Sequence, residues 1–202
     1  GHDQRFCPYG YEDSDIFNRW ILAGYEMIQS RDALCYHMTC RGHRWNKGVG
    51  VENSDYKSTM SRCRNEFIRK WGDWIQNDSY QYPIINPKYD IGIEIKNTNE
   101  NILQALEVWC SNMNVDINVD SYIEKEQKNT IINLTDKFKK EPLSNDIKVS
   151  LDARTFNQND YIYIQQLPQI IKDNGSIGEF KLGNLNIVIN AIKEQTDKLI
   201  KV

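Results

Sequence analysis

Residues 91–110 read "IGIEIKNTNENILQALEVWC". The first seven alternate apolar and polar side chains with period two, the mark of a strand. The stretch from about Glu100 to Cys110 then reads as a helix. Further on, "IKVSLDA" (147–153) alternates in the same way, and a helical pattern follows from about Gln158 to Lys172. The two look like a weak repeat of one strand–helix unit. Residues 177–190, "IGEFKLGNLNIVIN", read as a hairpin turning at Gly183-Asn184. The expectation for 91–202 is a small mixed domain, α/β or α+β. It holds no histidine, and its acids are scattered as on a solvated face, so no chemistry is read there.

Working back toward the N-terminus, the composition changes at 77–90. Asn77 to Pro83 and then Asn86-Pro87 read as a linker, because each proline biases its predecessor away from helix. Residues 1–76 contain four of the five tryptophans, all three histidines and most of the arginines. The expected organisation is therefore 1–76, a linker at 77–90, and the mixed domain at 91–202.

Bulk properties exclude some classes. The chain has 202 residues, 40% of them hydrophobic, enough for a packed core. A formal net charge of −3 argues against a nucleic-acid binder, whose footprint is a basic excess. No apolar run reaches the length that spans a bilayer. Cys7, Cys35, Cys40, Cys63 and Cys110 are odd in number and form no C-x-x-C pair. They read as free thiols in a reducing, cytoplasmic compartment. The chain opens without the apolar core of a signal peptide and only nine residues before the Gly10 turn, so an upstream region is expected.

The first part centres on "CPYGYEDSDIFNRW" (7–20), where Glu12, Asp13, Ser14 and Asp15 follow the turn Tyr9-Gly10-Tyr11. Two readings stand. Acids at a helix N-terminus satisfy free N–H groups and suit the dipole, worth about 0.5–2 kcal/mol. Alternatively one of them is a catalytic carboxylate at the mouth of the helix. In either case Asp13-Ser14-Asp15 predicts a helix over about Ile16–Ala23, with Gly24 as its stop. Glu26–Gln29 and Ala33–Met38 read as short strands, and 41–50, "RGHRWNKGVG", as a glycine-rich basic loop. A second amphipathic helix is expected over about Asp55–Trp71, ended by Gly72. Its apolar stripe is Tyr56, Met60, Cys63, Phe67 and Trp71, with Arg62, Arg64, Arg69 and Lys70 on the other faces.

The run "DQRFCPYGYEDSDIFNRWILAGYEMIQSRDALCYH" (3–37) resembles the acceptor-side part of inverting GT-A-fold glycosyltransferases. That family is glycosyltransferase family 2-like, related to chitin and cellulose synthases and to the C-terminal segment of β-1,4-galactosyltransferases. The matching features are Asp3, Phe6, Tyr9-Gly10-Tyr11, Glu12-Asp13, Asp15, Arg19, Ala23-Gly24-Tyr25 and His37, and later "FIRKWG" (67–72). The likeness covers residues 2 to about 74. It implies a partial GT-A-like half with two amphipathic helices and short strands, acting on a nucleotide-sugar donor and a saccharide acceptor.

Several roles follow from the resemblance. Asp13 matches the general base, which takes the proton of the acceptor hydroxyl as that oxygen attacks the anomeric carbon. Glu12 matches the residue that binds the acceptor sugar or orients the loop. Asp15 would be the helix cap or a second acceptor contact, with Tyr11 and Trp20 beside it. His37 matches a ligand of a divalent cation, Mn or Mg, that neutralises the leaving diphosphate. Arg41, His43 and Arg44 would close over that diphosphate, while Lys47 reads better as a solvated loop residue. The family carries an Asp-x-Asp metal motif in an upstream nucleotide-binding half. Asp13-Ser14-Asp15 has those letters but occupies the Glu-Asp position and follows no apolar strand. Residues 1–202 are thus expected to be incomplete as a transferase.

Three rivals remain. Cys35, His37, Cys40 and His43 are zinc-type ligands within nine residues, at irregular spacing. A non-catalytic carbohydrate- or protein-binding module needs no donor half. A generic hydrolase finds no supporting nucleophile or metal motif.

Overall fold

The computed structural model describes residues 1–28, 30–36, 44–45 and 52–200. Its architecture is α/β with a five-stranded mixed sheet. The helices of the first part are α1 (Glu12–Leu22) and α2 (Ser54–Trp71). A short hairpin follows, β1 (Gln76–Asn77) and β2 (Pro83–Ile84). The sheet is built from β3 (Ile91–Lys96), β4 (Asn112–Val115), β5 (Ile147–Asp152), β6 (Gly178–Leu182) and β7 (Leu185–Ile189). Between them lie α3 (Glu100–Leu106), α4 (Asp120–Glu126), α5 (Leu134–Lys137) and α6 (Gln158–Asn174).

The strand order is β4-β3-β5-β7-β6. Central β3 pairs in parallel with β4 and with β5, as helical crossovers require. The tight turn after β6 returns the chain, so β7 runs antiparallel to both β5 and β6. The expected hairpin therefore forms, with Gly183 at φ +61°. A Cβ there would meet Asp160 Oδ1 at 2.4 Å. Asp160 lies in the capping box of α6 and also accepts from the backbone and side-chain amides of Asn184, tying helix to turn. In β5 the apolar partners of the alternation, Ile147, Val149 and Leu151, are buried. They join Ile93, Leu103, Leu106, Leu167 and Ile187 in the main core. Full burial of each such side chain contributes about 1.5–3 kcal/mol.

A second, smaller core holds Phe6, Cys63, Phe67 and Trp71. Helix α2 belongs to both cores, because Ile68 on its other side packs in the main one. The segment 77–90 is accordingly more than a connector: it forms the hairpin and then a packed run in which Asn86 and Tyr89 are buried.

Other expectations need correcting. Arg69 and Lys70 do not decorate an outer face; their side chains are 1% and 3% exposed. Arg69 is buried because it meets Glu66, Glu107 and Glu126 at once. Glu107 also takes Lys137 at 2.7 Å and the Tyr122 hydroxyl at 3.0 Å. This network joins α2 to the α/β domain. Burial alone would raise the Glu107 carboxyl, but Lys137 and Arg69 outweigh it and hold it at about 2. The described residues of the two short strands expected at 26–29 and 33–38 form no strand. No helix among the described residues is long and apolar enough to cross a membrane.

Candidate functional site

The site is built on the chain that leads into α1. Asp3 caps a 3-10 turn, Gln4–Phe6, by accepting from the Arg5 amide at 3.0 Å. Arg62 of α2 donates to the Arg5 and Cys7 carbonyls and fixes this segment on the helix. Gly10 then takes φ +102°, and a Cβ there would meet Met60 Sδ at 2.7 Å. Tyr11 is also left-handed, at φ 70°, a strained state for a bulky residue. Its ring rests 5.7 Å from that of Phe67, and burial pushes its hydroxyl pKa up.

The two positive-φ residues turn the chain directly into α1, which starts at Glu12 rather than near Ile16. Asp13, Ser14 and Asp15 are therefore first-turn residues and not caps. Tyr11 is the N-cap and gives no side-chain hydrogen bond. The acids of that turn still suit the dipole.

Helical geometry sends the acids in opposite directions. Asp15, Asn18, Arg19 and Leu22 follow an i, i+3, i+4, i+7 stripe, and the first three are buried. Asp15 is 0% exposed. Its carboxylate accepts from Arg19 Nε at 2.9 Å, Lys70 Nζ at 2.5 Å and Trp71 Nε1 at 3.0 Å. Lys70 also donates to Asp3 at 2.8 Å. Burial alone would raise the Asp3 carboxyl, yet the bond from Lys70 and the Arg5 amide hold it below its usual value. Asp15 thus stands inside the fold with its oxygens engaged, and not at a surface where an acceptor would meet it.

Asp13, Phe17 and Trp20 occupy i, i+4 and i+7, the opposite stripe, and all three are exposed. Phe17 and Trp20 form a ring pair 5.8 Å apart. Among the described residues neither Glu12, half-buried, nor Asp13 has an ion pair or side-chain hydrogen bond. Phe17 and Ser14 also line a small groove of about 150 Å³ between α1 and the β1–β2 hairpin. Asp13 does not itself line that groove, but a carboxylate on the helix face that carries the aromatic pair can take a proton from a hydroxyl docked there.

The remaining expected residues divide. Arg44 is described: it pairs with Glu52 at 2.9 Å and lies over the Trp45 ring. Arg41, His43, Lys47 and the metal candidate His37 lie outside the described residues, as does Cys40 of the zinc reading. Cys35 is described and exposed. Among the described residues no three His, Cys, Asp or Glu side chains converge as a metal site. The sequence reading missed Lys70 as a partner of Asp15, and Asp3 as the second acceptor of Lys70; the one usable signal was Arg19, four residues on, at ion-pair spacing. Comparison with protein families, with curated proteins and with solved structures finds no match to this chain.

Proposed function

We propose that residues 1–76 form the acceptor-side segment of an inverting, nucleotide-sugar-dependent glycosyltransferase, with Asp13 as general base. The observation that carries this reading is the split on α1. Asp15 is consumed by the fold, while Asp13 faces solvent on the same stripe as Phe17 and Trp20. Aromatic side chains present apolar faces for sugar rings, and the carboxylate lies on their side of the helix.

In this mechanism the acceptor saccharide docks on the Phe17–Trp20 face. Glu12 and the Tyr11 hydroxyl orient it. Asp13 accepts the proton of the attacking hydroxyl while the new bond to the anomeric carbon forms and the nucleoside diphosphate leaves with its electron pair. Asp15, Lys70 and Asp3 are positioning residues that fix the first turn of α1. Arg44 would exchange Glu52 for the diphosphate, joined by Arg41 and His43, its near neighbours in sequence. A divalent cation, when bound, would neutralise the leaving group, and His37 is this chain's candidate ligand. A reducing, cytoplasmic setting suits the exposed thiols of Cys7 and Cys35.

The test is transfer from a panel of nucleotide sugars to saccharide acceptors. The enzyme is a polypeptide carrying these residues together with a nucleotide-sugar-binding half. Transfer with inverted anomeric configuration is expected. Binding of saccharide without turnover of any donor would favour the non-catalytic module instead.

A further inference from the structure

A concavity lined from both parts of the chain lies away from α1. It has a volume of about 540 Å³ and separates the β1–β2 hairpin from the outer face of α6. That volume lies within the roughly 300–1,000 Å³ of small-ligand sites. One wall carries Asp73, Trp74, Gln76 and Asn86; the other carries Gln165 and Gln169 of α6. Glutamines on a helix usually form a solvated face. Here they look across a cleft at a second polar wall, and Gln165 and Gln169 are half-buried.

The lining selects a ligand chemistry. It has no lysine, arginine or histidine, and it includes the carboxylates of Asp73 and Asp173, so anions such as phosphates are disfavoured. Primary amides carry both donors and an acceptor, the complement of hydroxyl groups that do the same. The amides of the inner wall are preset. Asp73, 9% exposed, accepts from Gln76 Nε2 at 2.8 Å and from Asn86 Nδ2. On the outer wall Gln169 Nε2 donates to Asp173 at 2.7 Å. In all three amides the carbonyl oxygen is left to accept from a ligand. Gln165 has no protein partner among the described residues. The half-buried indole of Trp74, packed edge-on against Trp109 and with the Arg64 guanidinium 5.9 Å from its ring centre, lines the same cleft.

We infer that this cleft binds an uncharged saccharide through the amides of Gln76, Asn86, Gln165 and Gln169 and the indole of Trp74. Gln76 also lines the groove beside α1. The two concavities thus share one lining residue. The inference stands on the lining of the cleft and not on the transfer reading.

The test is binding to the whole chain of a panel of neutral mono- and oligosaccharides (hexoses, N-acetylhexosamines and their short α- and β-linked oligomers). Side-chain amide NMR signals and tryptophan fluorescence report it, with inorganic phosphate and a uronic acid as anionic controls. The expected result is saturable binding of a neutral sugar that shifts glutamine amide signals. Gln165→Ala/Gln169→Ala, on an outer helix face, should stay folded and bind at least about tenfold more weakly, as loss of two hydrogen-bonding groups implies. Glu100→Gln, at the exposed start of α3 and outside both concavities, should bind as wild type. Three results would overturn the inference: no neutral sugar binds, only the anions bind, or the double variant binds undiminished.

Discussion

Replacing Asp15 by alanine tests how far the N-terminal segment depends on one buried carboxylate. The substitution removes the acceptor of three donors, Arg19 Nε, Lys70 Nζ and the Trp71 indole. Lys70 keeps Asp3 at 2.8 Å, so its charge is not wholly stranded. Breaking a buried pair costs about 3–5 kcal/mol; the retained Asp3 contact puts this case near 3 kcal/mol. With a urea dependence of about 1–3 kcal/mol per molar, the unfolding midpoint falls by about 1 M or more. Tryptophan fluorescence is the natural probe, because Trp71 is itself a partner. Adding Lys70→Met should give a loss smaller than the sum of the two single variants, since it removes the cation left in excess. Asp13→Asn, at an exposed position, should stay within about 0.5 kcal/mol of wild type. A loss below about 1 kcal/mol for Asp15→Ala, the size of an exposed ion pair, would refute the anchoring role.

Two further outcomes concern pH. The Glu107 carboxyl is held at about 2 by Lys137 and Arg69 against the effect of burial. The unfolded chain therefore binds more protons as pH falls from about 4.5 to 2, and stability drops across that window. Glu107→Gln should lower stability at neutral pH and flatten this acid limb; an unchanged acid limb in urea titrations would contradict it. Lys88 donates to the carbonyls of Arg69 and Lys70 at the end of α2. Burial, with Lys137, Arg5 and Lys70 nearby, outweighs Asp90 and pushes it down to about 7. Between there and its ordinary value near 10.4 the unfolded state binds the extra proton, so this group makes stability rise with pH. The difference between wild type and Lys88→Met should thus slope with pH above about 7; a flat difference would show that Lys88 titrates normally.

The α/β domain was legible where local signals agree. Alternation marked β3 and β5, Gly183-Asn184 marked the hairpin, and the capping box of Asn157 and Asp160 opens α6 where its periodicity begins. Strand β4 was not legible, because Asn112 and Asn114 alternate with only Met113 and Val115 at the edge of the sheet. The start of α1 was misplaced for a different reason. Serine and aspartate usually cap, but here two left-handed residues turn the chain before them. The burial of Arg69 and Lys70 was hidden because, apart from Glu66 one turn before Arg69, their partners lie 38 to 67 residues away in sequence. Spacing along α2 cannot reveal a charge neutralised from another element. For the same reason the acids of 12–15 were only partly sorted by sequence: Arg19 at i+4 favours Asp15 as the paired acid, but Lys70 and Trp71, which bury it, lie 55 and 56 residues away.

The central claim is that Asp13 is the working carboxylate and Asp15 the structural one. Sugar transfer by a polypeptide that joins these residues to a nucleotide-sugar-binding half tests it most directly, with Asp13→Asn beside wild type. The account predicts that kcat falls about 10²–10⁴-fold while the donor KM and the urea midpoint stay unchanged. An active enzyme in which Asp13→Asn keeps its full rate would contradict it.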